Sequence, residues 1–270
     1  MEELYVFGTG NAAVTHYYNT CFAIRDGEQF FMVDAGGGNG ILRILEDMGV
    51  RYEQIHHIFV THEHTDHLLG IVWMVRFIAT RMLKGSYQGD LYIYCHEDLP
   101  DTIDTFCRLT LQGKFYKLIG QRIHLVPVRD GETRQILDYD VTFFDIHSTK
   151  AKQFGFTTRL KNGGRLTCAG DEPYNPVCAP YVEGSDWLLH EAFCLYEERE
   201  LHQPYEKHHS TVKDACILAQ ELHIPNLVLW HTEDKTTVGC RRERYLAEGR
   251  PYYQGNLHIP EDREIIPLHS

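Results

Sequence analysis

The sequence of 270 residues contains no apolar run that approaches the ~20 residues needed by a membrane-spanning helix. It opens with Glu2 and Glu3 and a strand-like pattern follows at once, so no secretory signal is visible. Eight cysteines are present without a C-x-x-C pair, and we expect most of them to be small buried side chains. These features predict a cytoplasmic protein that does not contact a membrane.

Positive charge is also scarce. The chain has 26 Lys and Arg residues against 38 Asp and Glu residues, which gives a formal net charge of −12 with histidine neutral. Broad binding to nucleic acid depends on basic side chains that neutralise phosphates, so this composition does not favour it. A local basic patch, or a site whose positive charge is brought by a metal ion, is compatible with the same balance.

A linker rich in Pro, Gly or Ser is missing, and so are internal repeats and low-complexity segments. The length and an apolar content of 43 % suit a protein with a sizeable core. We therefore predict a single domain over residues 1–270. Alternating β and α segments around a β-rich half favour an α/β fold, a four-layer αββα sandwich.

The most informative stretch, residues 61–67, reads T-H-E-H-T-D-H. Imidazole and carboxylate are the ligands that metals such as zinc prefer. The stretch lies between a strand-like segment at 55–60 and an apolar, helix-like segment at 68–77, so unevenly spaced side chains can converge on one point. Four side chains within six positions are candidate metal ligands: His62, His64, Asp66 and His67.

Four later segments repeat one pattern, in which an apolar strand is followed by a single ionisable residue. In layered α/β folds, ligands and chemistry gather at strand ends, where loops are free to converge. The residues concerned are therefore candidates for the same site as residues 61–67. They are His147, Asp171, Glu191 and His231.

Further elements follow from local patterns. A T-x-x-D capping box of Thr211 and Asp214 predicts a helix that continues to about residue 222. The other predicted helices cover residues 41–48 and about 98–111. The predicted strands include residues 91–95, 123–128, 134–137 and 141–146.

Residues 62–67 resemble the H-x-H-x-D-H signature of the metallo-β-lactamase superfamily. The resemblance implies the αββα metallo-β-lactamase sandwich and a site for two metal ions. It assigns one ion to His62, His64 and His147, the second to Asp66, His67 and His231, and a bridge to Asp171. Zinc is the first choice for this set, two Zn²⁺ per chain, and manganese or iron are alternatives.

Asp34 and the histidines outside the ligand set also have an interpretation. In the superfamily, the aspartate that matches Asp34 would hold the ligand loop without touching metal. An ordinary turn aspartate at the end of a strand is the equal alternative. The remaining histidines are expected at surface or core positions: His16, His56, His57, His96, His124, His190, His202, His208, His223, His258 and His269.

Two segments resemble the ribonuclease Z branch of the superfamily. Residues 188–193 resemble its H-E-A-T-type motif, with Phe193 in place of the usual Thr, and residues 208–215 resemble its H-S-T motif. The resemblance implies that Glu191 orients His209, which acts as general acid. The candidate catalytic residues are therefore Asp66, Glu191 and His209.

The resemblance implies hydrolysis of a phosphodiester, in which a bridging hydroxide attacks phosphorus and His209 protonates the leaving oxygen. The two candidate substrates are a small phosphodiester, such as a cyclic nucleotide, and an RNA 3′ end, as in a tRNA precursor. Only 24 positions separate His147 from Asp171, which leaves no room for the long arm with which common bacterial ribonuclease Z enzymes grip tRNA. A compact phosphodiesterase is therefore favoured.

Two other functions stay open. The chain could be another metallo-β-lactamase-fold hydrolase, acting on a thioester or lactone, or a metal-binding module without hydrolysis. The resemblance further implies a homodimer.

Overall fold

The computed structural model describes residues 2–268, which form fourteen strands and eight α-helices. The strands are β1 (Glu2–Gly8), β2 (Cys21–Asp26), β3 (Gln29–Val33), β4 (Ile55–Val60), β5 (Leu91–His96), β6 (Ile123–Val128), β7 (Thr133–Ile136), β8 (Tyr139–Asp145), β9 (Phe154–Arg159), β10 (Arg165–Cys168), β11 (Trp187–Glu191), β12 (Asn226–Trp230), β13 (Asn256–His258) and β14 (Glu264–Pro267). The helices are α1 (Gly40–Asp47), α2 (Thr65–Lys84), α3 (Pro100–Thr110), α4 (Gly113–Tyr116), α5 (Ala179–Val182), α6 (Arg199–His202), α7 (Val212–Glu221) and α8 (Arg241–Gly249).

The chain divides into two compact units, each with its own sheet and core. Of the described residues, unit 1 comprises 2–8, 18–129 and 263–268, and unit 2 comprises 9–17 and 130–262. The assignment of residues 1–270 to a single domain stays a prediction.

Unit 1 is built on a seven-stranded sheet in the order β14-β1-β2-β3-β4-β5-β6. The strands from β14 to β3 pair antiparallel and those from β3 to β6 pair parallel. Helices α1 and α2 contribute their apolar residues to the same core as the sheet. Because β3 and β4 run parallel, the loops that follow them leave the sheet at the same edge.

Unit 2 has a sheet of the same size, in the order β13-β12-β11-β10-β9-β8-β7. Strands β10 to β13 are parallel, and β8 runs in their direction because β9 is antiparallel to both β8 and β10. The carboxyl ends of β8, β10, β11 and β12 therefore lie at one edge of this sheet. All four strands are those that the sequence analysis singled out for the ionisable residue after them.

Most of the predicted elements are confirmed with boundaries shifted by a few residues. The capping box of α7 is present, since the Thr211 hydroxyl accepts from Asp214 N at 3.4 Å and Asp214 Oδ2 accepts from Thr211 N at 3.0 Å. Helix α2 is longer than predicted because its buried face continues through Ile78 and Met82, and it ends at Gly85 in the left-handed conformation. Helix α8, β13 and β14 form where the sequence analysis predicted no element.

Seven of the eight cysteines are buried, and Cys240 is partly exposed. Burial raises the pKa of the thiols of Cys95, Cys107, Cys194 and Cys216 to about 12. These four side chains therefore carry no thiolate near neutral pH, as expected of small buried groups. Within residues 2–268, no helix is both long enough and apolar enough to cross a membrane.

Gly70 sets how closely helix α2 approaches the segment after β3. Its N–H donates to the carbonyl oxygen of Gly36 at 2.8 Å, and a Cβ at Gly70 would lie 1.9 Å from the carbonyl oxygen of Ala35. We expect Gly70→Ala to lower the free energy of unfolding by about 1–3 kcal/mol, because helix or loop must shift. Urea unfolding measures the change. Gly38→Ala is the control, since a Cβ there meets nothing within 4 Å, and equal losses in both variants would contradict the expectation.

Candidate metal centre and general acid

The predicted ligands of unit 1 lie on the loop from β4 into α2 and form two pairs. Nε2 of His62 is 2.9 Å from Nδ1 of His64, and Nε2 of His67 is 3.3 Å from Oδ2 of Asp66. His62, Asp66 and His67 are buried, and His64 is half-buried. Nitrogen and carboxylate donors held this close together, away from water, form a donor set that fits a divalent cation.

Asp34 fixes this loop from the end of the neighbouring strand β3. It is buried, and its carboxylate accepts hydrogen bonds from the N–H of Thr61 at 2.9 Å, the hydroxyl of Thr61 at 2.8 Å and Nδ1 of His67 at 2.7 Å. A proton held on Nδ1 leaves Nε2 of His67 as the ligand atom. Of the two interpretations of Asp34, the geometry therefore supports the one in which it holds the ligand loop.

In unit 2 the strand ends bring Asp171 and His231 together. Oδ2 of Asp171 is 3.5 Å from Nε2 of His231, and both side chains are buried. His147 follows β8 and is exposed; it lines an open cavity of about 400 Å³ that His209 also lines. His147 and His231 both have a φ of +57°, so the chain turns sharply just after each strand. Groups of histidine and acidic side chains that could hold a metal ion are thus present.

Besides the metal ligands, the predicted site contains the pair of Glu191 and His209. Glu191 ends β11 and is fully buried; its Oε1 accepts from the N–H of Ser210 at 2.5 Å, and its Oε2 faces Nδ1 of His209 at 3.4 Å. The rings of His209 and His231 are 5.4 Å apart. The carboxylate therefore holds the loop of His209 and faces its ring, next to a predicted metal ligand.

Phe193 explains the departure from the H-E-A-T-type motif. Its ring stacks on the imidazole of His209, with centroids 5.0 Å apart and an interplanar angle of 9°. A threonine could not provide this flat contact. With phenylalanine at this position, His209 thus has an aromatic stacking partner in addition to the carboxylate that faces Nδ1.

Two residues of this region escaped the sequence analysis. Nζ of Lys150 lies 3.5 Å from Nε2 of His209, and Oε1 of Glu172 lies 3.6 Å from the same ammonium. Glu172 directly follows Asp171 in the chain, which is the one signal that could have drawn attention to it. Lys150 lies in the loop after β8, where no local pattern distinguishes one polar residue from another.

A further group surrounds His202, which the sequence analysis assigned to a surface or core position. Its donor atoms and those of Glu198 and Glu233 lie within 4.8 Å of one another. The hydroxyl of Thr236 lies between them, 2.6 Å from Glu198 Oε2 and 3.0 Å from Glu233 Oε1. Internal hydrogen bonds account for this group, and we assign no ion to it. His269 lies outside the described residues.

Comparisons with known proteins show what this chain is similar to. The family described as Anti-Pycsar protein Apyc1 matches residues 2–238. The ribonuclease Z of Thermococcus sibiricus is 25 % identical to this chain, over 99 % of this chain and 97 % of the relative.

Two solved structures are similar in fold. The metallo-beta-lactamase fold protein YhfI of Bacillus subtilis has a TM-score of 0.77 at 16 % identity and covers 98 % of each chain. A diphosphatase from the PhnP family has a TM-score of 0.74 at 14 % identity, over 100 % of this chain and 98 % of that chain. With the two seven-stranded sheets, these similarities confirm the predicted metallo-β-lactamase fold and the resemblance to the ribonuclease Z branch.

The role of Asp34 can be tested with Asp34→Asn. Asparagine keeps the size and tolerates the φ of +55° found at this position, but it replaces one of the accepting oxygens with an N–H₂ group. We expect affinity for zinc to fall about 10- to 100-fold, because His67 loses its orienting acceptor. Competition with a chromophoric chelator measures the affinity. Asp47→Asn, on an exposed part of α1, is the control, and wild-type affinity in Asp34→Asn would show that the carboxylate does not hold the ligand loop.

Proposed function

The chain belongs to the family of Anti-Pycsar protein Apyc1, and on this premise we propose that it is a metal-dependent phosphodiester hydrolase. The observation that carries the proposal is the pairing of His209 with the buried Glu191, next to His231. His209 is not among the proposed metal ligands, so a protein that only bound metal would not need a carboxylate to orient this imidazole. The similarity to a ribonuclease Z along nearly the whole chain supports the same class of reaction.

We further propose that seven side chains bind two divalent cations. Support comes from the paired donors within each unit and from the superfamily signature. A single domain over residues 1–270 and a homodimer are also part of the proposal. When bound, two zinc ions, or manganese or iron in their place, would acidify a water molecule and stabilise charge on the phosphoryl oxygens. The ligands are His62, His64, Asp66, His67, His147, Asp171 and His231.

His209 would act as the general acid. Its Nδ1 faces Glu191, so Nε2 is the nitrogen that can donate a proton to the leaving oxygen. The Glu191 carboxylate faces Nδ1, and the stacked ring of Phe193 restricts rotation of the imidazole. A distance of 3.4 Å between Nδ1 and Oε2 is longer than a good hydrogen bond, as is common before substrate binds.

A small phosphodiester such as a cyclic nucleotide is the substrate that these features favour. The cavity beside His147 and His209 has a volume of about 400 Å³, within the range of small-molecule sites. The segment between His147 and Asp171 is filled by β9, β10 and their connecting turn, so it holds no long arm. With a net charge of −12, the chain is a poor general binder of RNA. An RNA 3′ end is the second candidate, because the sequence relative is a ribonuclease Z.

Replacing the general acid gives a direct test of the mechanism. We expect His209→Asn to lower kcat about 10²- to 10⁴-fold on a phosphodiester, because the leaving oxygen must depart unprotonated. Metal content should not change, since His209 is not a proposed ligand. His223→Asn is the control, because His223 is an exposed loop residue with a φ of +54°. Equal kcat in wild type and His209→Asn would remove His209 from the mechanism.

The substrate class is decided by comparing kcat/KM across candidate substrates. We expect hydrolysis of 2′,3′- or 3′,5′-cyclic nucleotides and of an aryl phosphodiester, and loss of activity after metal removal by a chelator. Efficient cleavage of a 3′-extended tRNA precursor alone would replace the small substrate with RNA. Turnover of a thioester or lactone alone would indicate another hydrolase of the fold. Zinc binding without any turnover would indicate a metal-binding module.

A further inference from the structure

Lys150 lies beside the proposed general acid and is not accounted for by the ligand set. Its ammonium nitrogen is 3.5 Å from Nε2 of His209, 3.4 Å from the carbonyl oxygen of Lys207 and 3.6 Å from Oε1 of Glu172. The side chain is only 27 % exposed. A cation is therefore held next to the nitrogen from which a proton would leave for the substrate.

The ammonium group retains capacity to donate hydrogen bonds. Lysine has three N–H donors, and good N–H···O bonds are about 2.7–3.2 Å long. The carbonyl oxygen of Lys207, Nε2 of His209 and Oε1 of Glu172 all lie beyond that range from the ammonium nitrogen, at 3.4–3.6 Å. A cation with three long contacts gains free energy from an anion that approaches to full hydrogen-bond distance.

Glu172 holds the loop that carries this lysine. It is 5 % exposed, and its carboxylate accepts from the hydroxyl of Ser148 at 2.7 Å and the N–H of Thr149 at 3.1 Å. The N–H of Lys150 in turn donates to the hydroxyl of Ser148 at 3.1 Å. Glu172, the residue next to Asp171, thus fixes the backbone of the loop at Lys150.

We propose that Lys150 binds a phosphoryl oxygen of the substrate beside the leaving oxygen. The inference rests on the proposed function and adds a catalytic residue to it. An oxygen that accepts a proton from Nε2 of His209 lies about 2.6–3.2 Å from that nitrogen, so it also lies near the ammonium group of Lys150. The lysine supplies a compact positive charge where negative charge accumulates, in a protein with few basic residues.

The test removes the charge but keeps the length of the side chain. We expect Lys150→Met to lower kcat/KM for an aryl phosphodiester and for 3′,5′-cyclic nucleotides about 10- to 100-fold. The inhibition constant of inorganic phosphate should rise about tenfold in the same variant, and Lys150→Arg should recover most of both losses. Lys161→Met is the matched control, because Lys161 pairs with Asp138 at 3.1 Å on the exposed turn between β9 and β10.

The outcomes separate this inference from the proposed function. If wild-type protein with zinc hydrolyses no phosphodiester, the proposed function is wrong, and this inference falls with it. If wild type is active and Lys150→Met keeps its kcat/KM and phosphate inhibition, only the inference is wrong. Lower thermal stability in Lys150→Met without recovery of activity in Lys150→Arg would likewise overturn it, because the lysine would then hold the loop rather than the substrate.

Discussion

A buried carboxylate at the end of a strand organises the functional loop in each unit. Asp34 does so after β3 and Glu191 at the end of β11, and both are almost inaccessible to water. A buried carboxylate is costly unless it accepts hydrogen bonds, so the neighbouring loop must present its N–H groups to it. Asp34 accepts from Thr61 N and Glu191 from Ser210 N, and each carboxylate also faces an imidazole, His67 and His209 respectively. Backbone position and ring orientation thus depend on the same charged group.

Strand order and strand direction in each sheet determine which residues can lie close together. In unit 2 the parallel direction of β8, β10, β11 and β12 places their carboxyl ends at one edge. His147 and His231 then adopt left-handed backbone conformations, as Asp34 does in unit 1. Such conformations cost a non-glycine residue about 1–2 kcal/mol, and they persist at positions that the surrounding structure determines strongly. Here they turn the chain just after the strand, so the candidate side chain stays at the sheet edge.

An aromatic, an acidic and a basic side chain surround the ring of His209. Phe193 lies against its face, Glu191 faces Nδ1, and Lys150 lies near Nε2. The last contact is informative because acidic residues outnumber basic ones in this chain, yet a lysine side chain that is only 27 % exposed lies at this position. Net charge describes the average surface, whereas a site depends on the few charges that lie within several ångströms of it.

The amino-acid sequence by itself determined those features that depend on a few neighbouring residues. Ligand type and spacing in residues 61–67, the apolar strands before His147, Asp171, Glu191 and His231, and the capping box of Thr211 and Asp214 are all readable within a few neighbouring positions. They sufficed to predict the fold and most elements, and they named the candidate site residues, whose roles stay a prediction. Tertiary structure alone decided the rest: the role of Asp34, the stacking of Phe193 on His209, and the contact of Lys150 with that ring. These depend on residues 16 to 59 positions apart that pack together, and such distances are set by strand order and loop direction rather than by any local pattern.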